Sequence, residues 1–220
     1  MEARKVYQLA IVFIILLSLG CGKNSTSQKI DPPPAPFVTR TSPQNLLMNL
    51  KEIYNTKTFD QFTDLFDDQF EFHFSDADVA SGEVPETLSK VAEVSIHEVM
   101  VGGDWIDSLE LEYSIGPMTL DETMTTVAGD SVWTITITSI TLELKGRLPG
   151  WPEMTPMTWR MDNGECRFWF QKHGPGGEQE IDPYSGEHIW TIYRWQEMGH
   201  KARHSSVDTQ SWGGIKAMFN

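Results

Sequence analysis

"SPQNLLMNLKEIYNTKTFDQFTDLFDDQFEFHFS" occupies residues 42–75, and its apolar residues change period partway along. In the first part Leu46, Leu47, Leu50, Ile53 and Tyr54 recur at helical spacing, which lays one apolar stripe along a helix. Ser42 followed by Pro43 supplies an N-cap and a proline suited to the first helical position. A second helix is expected to start at Thr58, with Gln61 at capping-box spacing and Phe59, Phe62, Leu65 and Phe66 as its stripe. Phe70, Phe72 and Phe74 then alternate with Glu71 and His73, which is the period of a half-buried strand.

The strand period continues downstream. Residues 84–99 lean helical, through Val91, Val94 and Val99, but Leu109, Leu111, Tyr113 and Ile115 alternate with polar residues. Trp133, Ile135 and Ile137 alternate with threonines, and the apolar phase then slips by one to Ile140, Leu142 and Leu144. A slip inside one long strand predicts a β-bulge and a sharp bend. Residues 149–158, PGWPEMTPMT, read as a proline-rich loop, and Cys166–Lys172 and Ile189–Trp195 read as two closing strands. Helices first and a strongly curved antiparallel sheet afterwards is an α+β pattern.

The opening stretch resembles the start of nuclear transport factor 2-like domains, including the polyketide-cyclase-like members of that superfamily. Leu65, Phe66, Asp68 and Phe70 stand where those proteins pass from their second helix into their first strand. The closing HIWTIYRWQE, residues 188–197, resembles their last strand, and DTQSWGGIKAMF, residues 208–219, resembles the tails of bacterial lipoproteins that carry this domain. The resemblance covers residues 42–220 in outline. It implies a cone-shaped, cystatin-like sheet wrapped around the N-terminal helices, with a pocket at the open end. It also implies a sheet face that serves as a homodimer surface in relatives. The superfamily hosts many functions, so the fold by itself assigns none.

Upstream, Arg4 and Lys5 precede an eleven-residue apolar run, Leu9–Leu19, and small residues and Cys21 follow. A basic start, an apolar middle of roughly 7–15 residues and a small-residue cleavage region define a secretory signal peptide. A membrane-spanning helix needs roughly 20 apolar residues, so residues 1–20 read as a removable leader. Leu17-Ser18-Leu19-Gly20-Cys21 resembles the lipobox of bacterial lipoproteins, with Ser18 and Leu19 in the reverse of the usual order. That resemblance implies cleavage before Cys21, lipidation of its thiol, and residence in a bacterial cell envelope on the periplasmic side of the outer membrane. Residues 21–41 end in DPPPAP and further residues, a proline-rich linker that cannot build a core.

Composition narrows the partners. Seventeen basic and 31 acidic residues leave a formal charge of −14, which repels nucleic acid and anionic lipid heads. Eight tryptophans and eleven phenylalanines in 220 residues are core-forming material. Cys166 is the only thiol besides Cys21, so no internal disulfide is expected, and its alternation with Phe168 and Phe170 predicts a buried, inert thiol.

The search for chemistry yields candidates without a complete set. His73, near Asp76 and Asp78, is one candidate catalytic residue, although alternation puts it on the face opposite Phe72 and Phe74. Asp104 is another, or else a turn residue after Gly102 and Gly103. No carboxylate pair falls where the pattern requires an interior position. Glu197, His200 and His204 are interrupted by Gly199 and do not make a zinc motif, so neither a metal nor a cofactor is expected. Trp151, Met154, Met157 and Trp159 lie in the proline-rich loop, where an exposed apolar patch would bind a ligand or partner. The leading expectation is a non-enzymatic, lipid-anchored envelope protein that binds a protein partner or a small apolar ligand. The alternatives are a cofactor-free lyase or isomerase acting on an apolar substrate, and a structural envelope component.

Overall fold

Helix α1, Pro43–Thr56, begins as its sequence requires: the Asn45 N–H donates to the Ser42 hydroxyl at 3.1 Å, and Pro43 occupies the first turn. The helix ends at Lys57, which is left-handed at φ 51°. The computed structural model describes residues 37–82, 84–102, 105–125, 129, 131–147, 156–173, 179–200 and 211–217. Cys21, Asp104, Trp151 and Met154 lie outside the described residues.

The second predicted helix does not form. Residues 63–65 make one tight 3₁₀ turn, and strand β1 already starts at Phe66 and runs to His73. Phe62, Leu65 and Phe66 are buried as expected, but Phe66 is buried as a strand residue paired with Ile192. Tertiary pairing here overrides a locally helical pattern. A short helix α2, Asp76–Ser81, and a three-residue strand β2, Thr87–Ser89, follow.

Helix α3, Lys90–Gly102, overlaps the region read as helical, residues 84–99, whose first part holds β2 instead, and its orientation differs from the expected one. It buries Glu93, Ile96, His97, Met100 and Val101, whereas Val91 is 76% exposed. Strands β3 (Ile106–Glu112), β4 (Met118–Thr125), β5 (Ser131–Gly146), β6 (Met157–Gln171) and β7 (Thr191–His200) complete the sheet, and helix α4 spans Trp212–Ala217.

The sheet order is β2-β1-β7-β6-β5-β3, with β4 paired to the other half of β5. It is curved and unclosed, in keeping with the α+β reading. The ladders are antiparallel except one: β1 and β7 run parallel, so the sheet is mixed. The bend predicted in β5 is present. Its register with β6 shifts between Ile137 and Ile140, and Ser139 on β5 and Asn163 on β6 both take positive φ, at 60° and 55°.

Helix α1 packs against β3 and β7, and α3 against β1 and β2. Between them and the sheet lies an aromatic core that includes Phe62, Phe66, Phe70, Phe72, Phe168, Phe170 and Trp195. The final residues of the predicted linker are fastened to this body. Asn49 exchanges hydrogen bonds with the Val38 backbone at 2.9 and 2.8 Å, and the Trp190 N–H donates to the Arg40 carbonyl at 2.8 Å.

Candidate functional site

Alternation along β7 turns Trp195 and Glu197 to the inner side of the sheet, both about 2% exposed. Their partners on β6 are Phe168 and Cys166, so Glu197 stands opposite Cys166 in an otherwise apolar wall. Phe72, opposite Trp195 on β1, meets it edge to face at a centroid distance of 5.3 Å. Helix α3 contributes Glu93 from its first turn and His97 one turn later, positions on one helix face.

The cation for these carboxylates arrives from the far end of the chain. Lys216, on α4, is buried, and its Nζ donates to both oxygens of Glu93 at 2.7 and 2.6 Å. The same Nζ lies 3.3 Å from the centroid of the Phe72 ring and 4.6 Å from that of Trp195. The ammonium is therefore held by a carboxylate and two aromatic faces, which attract a cation through the ring quadrupole. Burial pulls the Lys216 ammonium below the ordinary lysine range, while Glu93 and Glu197 work against that pull.

The groups around this ion pair are tuned by burial. His97 is fully buried, stacked on Phe62 at 3.6 Å and edge-on to Tyr54 at 4.8 Å. Among the described residues neither of its ring nitrogens has a partner in hydrogen-bond geometry, although the Thr58 backbone lies near enough to favour the proton. Burial foremost, with a smaller push from Lys216, holds the imidazole at about 3, so it is neutral at physiological pH. Burial, and then the charge of Glu197, raises the Cys166 thiol to about 12. A thiol in that state is not a nucleophile, in accord with its predicted inertness. Burial and the nearby Glu93 also raise the Tyr54 phenol.

The residues singled out from sequence lie elsewhere. His73 is on the outer side of β1, with its Nε2 3.1 Å from Glu71 Oε2, away from the buried cluster. Met157 opens β6 and is 43% exposed, whereas Trp159, expected in an exposed loop patch, is buried opposite Leu144. The reason is that β6 begins at Met157, inside the stretch read as loop, so alternation carries Trp159 inward. Sequence reasoning missed Glu93 and Lys216, and weighed Glu197 only as part of a zinc motif. A signal existed for two of the three. Glu197 continues the inward phase of Trp195, and Glu93 and His97 share a helical stripe with Ile96, Met100 and Val101. For Lys216 no local signal exists.

No family model matches the chain, and no curated protein matches it. Solved structures that resemble it include NTF2-like proteins of unknown function. A conserved protein from Planctomyces limnophilus aligns over 70% of this chain and 89% of its own, at 9% identity and a TM-score of 0.46. A protein of unknown function from Mycobacterium tuberculosis aligns over 80% of both chains at 12% identity and a TM-score of 0.42. An NTF2-like protein of unknown function in nutrient uptake from Rhodospirillum rubrum aligns over 69% of this chain and 93% of its own, at 12% identity and a TM-score of 0.37. At such identities no residue role passes from those proteins to this one.

Proposed function

We propose that this protein is a lipid-anchored component of a bacterial cell envelope that takes a small ligand, with an apolar body and a charged head, inside its curved sheet. The observation that carries the ligand reading is the burial of Glu93, Glu197 and Lys216 within a shell of aromatic residues. A buried ion pair rarely stabilises a fold more than apolar side chains of the same volume would. Stability therefore gives no reason for three buried charges here, and charged groups placed against apolar walls are typical of binding and catalytic sites. The anchor rests on the leader: a basic start, an eleven-residue apolar run and Cys21 after Gly20. Several acyl chains together would hold the protein at the membrane lastingly. The linker from residue 22 would give the body a reach of up to roughly 50 Å.

The anchor is tested by expressing the full chain with Cys21→Ala: the variant should lose acyl label and move to the soluble fraction. Unchanged membrane attachment would count against lipidation at Cys21. The ligand reading is tested by native mass spectrometry of the full chain released gently from its membrane. A small-molecule adduct that disappears in Glu197→Leu is the expected result, and bare protein from every growth condition would oppose it.

A second reading, a cofactor-free lyase or isomerase, is favoured by the same two carboxylates, since a proton acceptor in a dry pocket is what such chemistry needs. It requires turnover of an apolar carbonyl substrate that falls at least 100-fold in Glu197→Gln, in line with general acid–base contributions of about 10²–10⁴.

A further inference from the structure

The aromatic and acidic groups around Lys216 make sense as a site in their own right. Glu93 receives Nζ with both oxygens, Phe72 and Trp195 offer ring faces at 3.3 and 4.6 Å, and Glu197 adds a second buried negative charge. Such a box suits the desolvation of a primary ammonium: N–H donors meet the carboxylate, and the remaining surface of the cation meets π-faces. The present occupant belongs to a helix of six residues, Trp212–Ala217. Among the described residues of that helix, Ile215 and Lys216 are the buried ones. Ahead of it the Ser211 hydroxyl donates to Asp78 Oδ1 at 2.9 Å, and Gly214 N–H donates back to Ser211 Oγ at 2.8 Å.

Building on the ligand reading above, we propose that Phe72, Glu93, Trp195 and Glu197 form a binding site for small alkylammonium compounds, with Lys216 as its tethered resident. Departure of α4 exposes the site. An alkylammonium then takes the position of the Lys216 Nζ, its chain lying along the aromatic wall. Because the resident is covalently tethered, its effective concentration reaches the millimolar range or more, so an external amine must compete against it. The tail thereby sets the ligand threshold as well as the shape of the site.

Chemical rescue tests this. Lys216→Ala removes three methylene groups and the nitrogen, which n-propylammonium replaces. In the full chain, Lys216→Ala should lower Tm by about 10 °C, the loss expected when a buried carboxylate is left unpaired. n-Propylammonium chloride should restore it in a saturable way, while n-propanol and sodium chloride at matched concentration should not. Glu93→Leu with Lys216→Met should fold without amine and ignore it. In the unmodified chain, n-propylammonium should raise amide exchange at residues 211–217, at concentrations well above those that rescue the variant. If Lys216→Ala is insoluble, it is refolded from denaturant, and soluble recovery only with the amine is the expected result. Equal rescue or recovery with n-propanol would overturn ammonium selectivity and leave the ligand site standing. No response to any compound, with unchanged exchange at 211–217, would overturn both.

Discussion

Two helices lie against the same curved sheet, and their buried faces differ in what they carry. Helix α1 turns a stripe of Leu46, Leu47, Leu50, Ile53 and Tyr54 to the core. Helix α3 puts Glu93 and His97 on its buried face and leaves Val91 in water. That face also carries Ile96, Met100 and Val101, whose burial favours the same orientation, so α3 buries apolar and polar groups together. The polar groups on that face meet partners inside the fold: Lys216 for Glu93, and the rings of Phe62 and Tyr54 for His97. The first helix is scaffold in the ordinary sense. The second presents charged and titratable groups to the inside of the sheet beside its apolar residues, and that is where a function belongs.

This contrast can be broken most directly at Glu93. Glu93→Ala leaves the Lys216 ammonium buried without its carboxylate and should cost about 3–5 kcal/mol in denaturant unfolding. The double change Glu93→Leu with Lys216→Met should recover that loss or exceed the parent stability by about 1–4 kcal/mol. A single-variant cost below about 1 kcal/mol would mean that the pair is solvated. On the scaffold helix, Leu47→Ala should cost about 3 kcal/mol by the same measurement, through lost burial and the cavity left behind. An equal loss in Leu47→Ala and in the Glu93→Leu, Lys216→Met double change would erase the difference between the two helices.

His97 sharpens the comparison through pH. Its imidazole titrates near 6.5 in the unfolded chain but at about 3 when folded, because burial opposes the charge. Between those values the unfolded chain binds a proton that the folded chain does not, so stability rises with pH and falls on acidification. From pH 7 to pH 5 the parent should lose about 2 kcal/mol more than His97→Phe, which keeps an aromatic ring against Phe62. Parallel pH profiles would show that the histidine is accessible to water. The smallest effect is expected at Val91, whose side chain is mostly exposed: Val91→Lys should change stability by less than about 0.5 kcal/mol.

Much of the scaffold was legible in local period. The α1 stripe, the Ser42 cap, the alternation of Phe70 and Phe72, and the phase slip in β5 each rest on neighbours within a few residues, and each appears in the fold. The second predicted helix failed because Phe66 gains more from pairing with Ile192, 126 positions away in the chain, than from a local helical turn. Trp159 was misplaced for a related reason: the prolines around it suggested loop, but the long ladder with β5 extends to Met157. The candidate site was less legible than the fold. His73 could be placed on the outer face from alternation alone, and Cys166 on the inner one. The interior carboxylates were passed over because acidic residues are ordinarily solvent-facing, and that expectation yields only when a buried cation is known to wait for them.

By itself, then, the sequence determined the α+β class, the first helix, the bend in the long strand and the inward phase of Cys166, because hydrophobic periodicity is a property of adjacent residues and is read by the backbone wherever it lies. Only the tertiary structure decided that Glu93 and Lys216 meet, across 123 positions, between the rings of Phe72 and Trp195. Charge pairing of that kind depends on where the curved sheet and the last helix place two distant atoms, and no local pattern of apolar and polar residues records such a distance.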